Sequence, residues 1–105
     1  DDHCRGVFAV LENGKSGEVY NIAGTNEFQN IELARKIIAY FGKSEDEVFE
    51  FVADRKGHDI RYSLTGNKIR KELGIEPKID FEAGLRETID WYVANESWWR
   101  PLLKK

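Results

Sequence analysis

The segment Asp54-Arg55-Lys56-Gly57-His58-Asp59-Ile60-Arg61-Tyr62 gathers Arg55, Lys56, His58 and Arg61 around one glycine, in a chain whose formal charge is -3. Those side-chain types grip anions. Arg presents a planar fork that matches phosphate oxygens, Lys adds a point charge, His can donate a hydrogen bond, and Gly57 lets the backbone bend close to a ligand. The competing reading is a solvated charged loop, in which Asp54 and Asp59 neutralise two of the cations locally.

Other chemistry finds less support. Gly14-Lys15-Ser16 ends like a nucleotide phosphate loop, but Ala9 stands where that loop needs its first glycine, and the segment precedes a strand pattern instead of following one. None of the nine glycines forms Gly-x-Gly-x-x-Gly, so the tight turn that admits a dinucleotide pyrophosphate is missing and NAD is not expected on this chain by itself. His3 and His58 lie in separate segments with no obvious nucleophile beside either, which leaves no catalytic residue to assign. Cys4 is the single cysteine, too few for an internal disulfide, and no His or Cys cluster has zinc-ligand spacing. No metal is expected.

The elements that would position the basic segment can be read from periodicity. Cys4, Val7, Phe8 and Leu11 at i, i+3, i+4, i+7 predict a helix with one apolar stripe, ending at Asn13-Gly14. Val19-Tyr20-Asn21-Ile22 reads as a short buried strand with Asn21 as its odd member. Asn30 caps a second helix striped by Ala34, Ile37, Ile38 and Phe41 and stopped by Gly42. Ser44 and Glu47 suggest a capping box for a single turn, after which Val48-Phe49-Glu50-Phe51-Val52 reads as a strand leading into the basic loop. Ile60, Tyr62 and Leu64 alternate as on another strand, and Thr65 caps a helix with Ile69 and Leu73 that stops at Gly74. The last helix starts at Asp80, with Phe81, Leu85, Ile89 and Tyr92 on one face. Trp91, Trp98 and Trp99, all the tryptophans present, crowd behind it and read as an aromatic clamp on the C-terminal segment.

Composition sets the outer bounds. A chain of 105 residues with 41% apolar and 33% charged side chains is one globular domain or part of one. Its acidic balance argues against nucleic acid as a partner. No apolar run approaches the ~20 residues that span a bilayer, and Asp1-Asp2-His3 lacks the basic start of a signal peptide. The expectation is a cytoplasmic protein with no membrane partner. A helix that opens at its very first residues also suggests a piece of something longer.

Taken in order, Asp2-His3, Gly17-Glu18-Val19-Tyr20-Asn21-Ile22, Asp54-Arg55-Lys56-Gly57-His58-Asp59, Lys68-Ile69-Arg70-Lys71-Glu72-Leu73-Gly74, Phe81-Glu82-Ala83-Gly84-Leu85 and Trp98-Trp99-Arg100-Pro101-Leu102 resemble the C-terminal portion of the dTDP-glucose 4,6-dehydratase family. The likeness spans essentially the whole chain. Val-Tyr-Asn-Ile alone points only to the extended short-chain dehydrogenase/reductases; the basic loop and the Trp-Trp-Arg-Pro-Leu tail narrow it. The resemblance implies that residues 1–105 are a small mixed α/β lobe that binds the nucleotide-sugar, without the Rossmann lobe. That N-terminal lobe would bind NAD and carry the catalytic Tyr-x-x-x-Lys pair, of which there is none here. It further implies a dTDP-sugar as ligand, a homodimeric parent, Asn21 as a substrate contact, and Asp54, Arg55, Lys56, Gly57 and His58 as the loop that holds the diphosphate.

Some positions depart from the family pattern. Lys56 replaces the usual proline, Ala23 and Ile75 replace a common glycine and tryptophan, and Thr65 replaces an aspartate cap. A second substrate arginine of the family would fall before residue 1. The same lobe of a related sugar-nucleotide epimerase and a stand-alone nucleotide-binding or interaction module remain as alternative readings.

Overall fold

The structure is a computed structural model and describes residues 1–103. Along the described chain run helices α1 Asp2–Asn13, α2 Asn30–Tyr40, α3 Glu45–Val48, α4 Asn67–Leu73, α5 Phe81–Ala94 and α6 Glu96–Trp99, then a 3-10 turn over Arg100–Leu103. They belong to two units. Asp1–Glu27 and Val52–Ile79 form the first; Phe28–Phe51 and the residues from Asp80 onward form the second.

In the first unit, α1 is tied to the return segment by its opening residue. Asp2 Oδ2 accepts from the Lys78 and Ile79 amides at 2.9 Å each, and Oδ1 pairs with Arg5 at 2.8 Å. The Ile79 amide, more than Arg5, holds the Asp2 carboxyl below its ordinary range. Arg5 continues the chain of contacts by donating to the Glu76 carbonyl at 2.8 Å.

The buried residue of α1 is Gly6, where a Cβ would lie 2.8 Å from Ile22 Cγ2. The expected stripe is therefore not the packed face. Cys4, Val7 and Phe8 are exposed and Leu11 is 79% exposed. Periodicity identified the helix correctly, but the absence of a side chain at Gly6, not the greasiness of the stripe, decides where residue 22 packs.

Helix α4 is capped by Gly66 instead of the expected Thr65, whose Oγ1 only accepts from the Asn67 amide at 3.3 Å, and it ends at Gly74 as its sequence predicts. Its Ile69 is only 2% exposed, burial that stabilises by about 1.5 to 3 kcal/mol.

The mixed α/β expectation needs correction, because the described residues contain no strand. Residues 19–22, 49–52 and 60–64 carry no ladder. The Phe49 and Phe51 rings meet edge to face with centroids 6.4 Å apart, as i and i+2 side chains on locally extended backbone can. A strand is completed by a partner's amides and carbonyls, and these segments find none among the described residues. The alternating side chains Ile60, Tyr62 and Leu64 accordingly stay exposed.

In the second unit, α2 begins at Asn30 itself, the expected cap, and Gln29 one residue earlier takes the capping position. Gln29 and Glu32 form a reciprocal capping box, with the Gln29 amide donating to Glu32 at 2.8 Å. Ser44 and Glu47 form the box that opens α3, as expected. Asp80 caps α5 by accepting from the Glu82 and Ala83 amides at 3.0 and 3.2 Å. Ile89 on that helix is buried. Phe28 packs on Phe81 with centroids 4.4 Å apart, and Lys36 bridges Glu82 at 2.5 Å. The aromatic clamp is present at the corner between α5 and α6. Trp91 meets Trp98 edge to face at 5.2 Å, and Trp99 Nε1 donates to the Tyr92 carbonyl at 2.7 Å.

Candidate anion-binding site

All the expected ligand-contacting residues fall in the first unit. Asp54 organises the basic loop. Its Oδ1 accepts from the Arg55 amide and meets His58 Nδ1, both at 2.8 Å, while the His58 amide donates to the Arg55 carbonyl at 3.2 Å. The chain thus reverses over Lys56 and Gly57. Gly57 has φ +73°, a left-handed conformation that side chains with a Cβ resist. The His58 contact, ahead of the Arg55 amide, holds the Asp54 carboxyl below its ordinary range.

The competing reading, in which Asp54 and Asp59 cancel the cations, can now be judged. Asp59 instead accepts the Tyr62 hydroxyl at 2.5 Å, a bond that raises the pKa of Tyr62. Arg61 is held by Glu27, Nε to Oε1 at 2.5 Å and Nη2 to Oε2 at 2.8 Å. This hydrogen-bonded pair lowers the Glu27 pKa and raises that of Arg61. Asp54 is engaged by His58. Arg55 and Lys56 are exposed and have no carboxylate partner among the described residues. The loop therefore presents two uncompensated cations on a tight turn, the electrostatic arrangement that attracts a phosphate.

Asn21 is positioned from α4. Lys68 Nζ pairs with Glu18 at 2.6 Å, donates to the Val19 carbonyl at 2.9 Å and lies 4.5 Å from the Tyr20 ring centre. The Glu18 hydrogen bond raises the Lys68 pKa. Tyr20 donates to Glu72 at 2.9 Å and accepts from the Lys15 amide at 3.3 Å. With Val19 and Tyr20 fixed on one side and Ile22 seated against Gly6 on the other, Asn21 is left exposed. Its side chain has no hydrogen-bond partner among the described residues, and no hydrogen bond joins it to the basic loop.

Sequence reasoning missed Glu27 and Lys68. Their partners stand 34 and 49 to 50 positions away, so no local spacing announces them.

Two other functions can be tested on the same geometry. Among the described residues no three His, Cys, Asp or Glu side chains gather as around a metal, and no helix is long and apolar enough to cross a membrane. A strand feeding a helix through a glycine-rich turn, the cradle of a dinucleotide pyrophosphate, is likewise absent among them. These residues do not fit NAD, and no chemical step is assigned to it on this chain.

The fold is that of part of an extended short-chain dehydrogenase/reductase, and with residues 1–88 matching the GDP-mannose 4,6 dehydratase family model, the chain belongs to that family. It is similar to dTDP-glucose 4,6-dehydratase of Streptomyces niveus, with 50% identity over 96% of this chain and 30% of that protein. The Streptomyces antibioticus enzyme of the same name is 49% identical over 100% of this chain and 31% of its own length. Among solved structures, DesIV from Streptomyces venezuelae, a dTDP-glucose 4,6-dehydratase crystallised with NAD, superposes with a TM-score of 0.90 at 49% identity, over 97% of this chain and 31% of that one. WbmF from Bordetella bronchiseptica, solved with NAD+ and UDP, superposes at 0.70 with 32% identity, over 91% of this chain and 28% of its own. The chain thus spans about 30% of the length of these relatives.

Proposed function

We propose that residues 1–105 are the nucleotide-sugar-binding part of a dTDP-glucose 4,6-dehydratase. In this reading the chain grips the diphosphate of a dTDP-sugar, while a Rossmann lobe preceding it in the same polypeptide holds NAD and converts dTDP-glucose to its 4-keto-6-deoxy product with loss of water. The observation that carries the reading is the pair of uncompensated cations, Arg55 and Lys56, on a turn shaped by Gly57 and braced by Asp54. The similarity to dehydratases over nearly the whole chain supports it.

Each residue has a stated part. Arg55 offers its guanidinium fork to diphosphate oxygens, Lys56 adds charge, His58 contributes a ring contact, and Asn21 supplies an amide able to donate and accept. None of these is a catalytic residue. Binding energy collected at the diphosphate orients the sugar for reaction elsewhere, which converts affinity into rate without touching the reacting bonds. The exposed stripe of Val7, Phe8 and Leu11 supplies an apolar face of the kind that the remainder of a longer polypeptide covers. The reading carries with it a cytoplasmic, homodimeric parent.

Arg55→Ala in the full-length enzyme tests it. Loss of a charge-assisted hydrogen bond, about 1.5 to 3 kcal/mol, should weaken thymidine diphosphate binding roughly ten- to a hundredfold. An unchanged dissociation constant removes Arg55 from the site. Product analysis distinguishes the dehydratase from an epimerase of the same fold, which would leave no 4-keto-6-deoxy sugar.

A further inference from the structure

The contact between Asp54 and His58 constrains what the histidine can offer a ligand. Asp54 is ionised at neutral pH, its carboxyl being held below the ordinary range, so its oxygens only accept hydrogen bonds. The hydrogen in the 2.8 Å contact between Asp54 Oδ1 and His58 Nδ1 therefore sits on the ring. A neutral imidazole that carries its proton on Nδ1 has a bare lone pair at Nε2. The oxygens of a diphosphate diester are also acceptors. Neutral His58 and such a ligand would repel each other, and the ring can donate from Nε2 only after gaining a second proton.

We propose that His58 binds the diphosphate as an imidazolium, so that ligand binding takes up one proton from solvent, with Asp54 as the positioning residue that fixes Nδ1. The proposal rests on the reading of this loop as the diphosphate grip. The other charges near His58 define the balance. Arg55 and Lys56, beside it on the turn, oppose a third positive charge on the ring when the loop is empty. Asp59 is occupied by the Tyr62 hydroxyl and Glu27 by Arg61, which leaves Asp54 as the carboxylate that pairs with the ring. A bound diphosphate reverses this balance by adding negative charge against all three groups.

The test is calorimetry on the full-length enzyme with the phenyl ester of thymidine diphosphate, a diester whose diphosphate keeps one charge state over the range studied. Titrations from about pH 6 to about pH 8.5, each in two buffers of different ionisation heat, count the protons taken up. On the alkaline side the expected result is uptake approaching one proton per ligand, with affinity falling by up to about tenfold per pH unit. His58→Gln should abolish both the uptake and the slope. Asp54→Asn keeps an oxygen acceptor without its charge, and should move the break in the profile to lower pH.

Arg55→Ala separates the two layers of the argument. It should weaken binding at every pH and leave the slope intact. Zero proton uptake in an enzyme that Arg55→Ala does weaken overturns the imidazolium while the diphosphate grip stands. An Arg55→Ala enzyme that binds like the parent overturns the grip, and this inference with it.

Discussion

Gly57 is the residue on which the shape of the basic turn depends. Its φ of +73° lies where a Cβ crowds the following carbonyl, yet a Cβ built there would meet nothing within 4 Å. The cost of Gly57→Ala is therefore backbone strain without a clash. We expect about 1 to 2 kcal/mol against the turn, expressed as weaker ligand binding because the exposed loop can relax into another conformation. Ligand titration of the full-length variant checks this; affinity equal to the parent's would show that the turn is not held in the bound state. Sequence alone indicated a bend at Gly57 and a cationic loop. It could not say which cations were spent, because the carboxylate that holds Arg61, Glu27, lies 34 positions away.

At the level of elements, α1 separates two properties that a periodic pattern conflates. The stripe of Cys4, Val7, Phe8 and Leu11 marks a helix, and the helix forms, but Ile22 packs against Gly6 instead. If another lobe covers the stripe in the full-length enzyme, Leu11→Lys should lower the melting temperature of that enzyme and leave the melting temperature of residues 1–105 nearly unchanged. Leu11 is 79% exposed here, so its replacement removes little buried area within this chain. Equal, unshifted melting curves for both proteins would show that nothing covers α1. The extended segments teach a related lesson. Residues 60–64 alternate as a half-buried strand does, but no strand forms there and the three apolar side chains stay exposed.

On the scale of the whole molecule, the carboxylates with shifted pKa values all shift the same way. Asp2, Glu27, Glu45, Glu47, Asp54 and Glu72 are each held below ordinary values of 3.8 for aspartate and 4.5 for glutamate, chiefly by hydrogen bonds. In acid the unfolded chain then binds more protons than the folded one, so their stabilisation is present above those values and is lost as pH falls through the lower folded ones. Lys68 and Arg61 are raised, and their contribution fades only as pH rises past the ordinary basic range. The urea midpoint of the chain should be lower at about pH 3 than at about pH 6. These groups are solvent-exposed, so salt should shrink the difference. A midpoint that rises on acidification would contradict the set of shifts.

Local chemistry let the sequence determine most helix positions, the turns at Gly57 and Gly74, the Ser44-Glu47 capping box, and the basic character of the loop. Caps, breakers and periodicity act over a few residues, so they are written where they operate. Tertiary structure decided which face of α1 packs, which strand patterns remain unpaired, and which cations stay free to meet an anion. Those outcomes depend on groups tens of positions apart meeting in space, such as Gly6 with Ile22, Lys68 with Glu18 and Arg61 with Glu27.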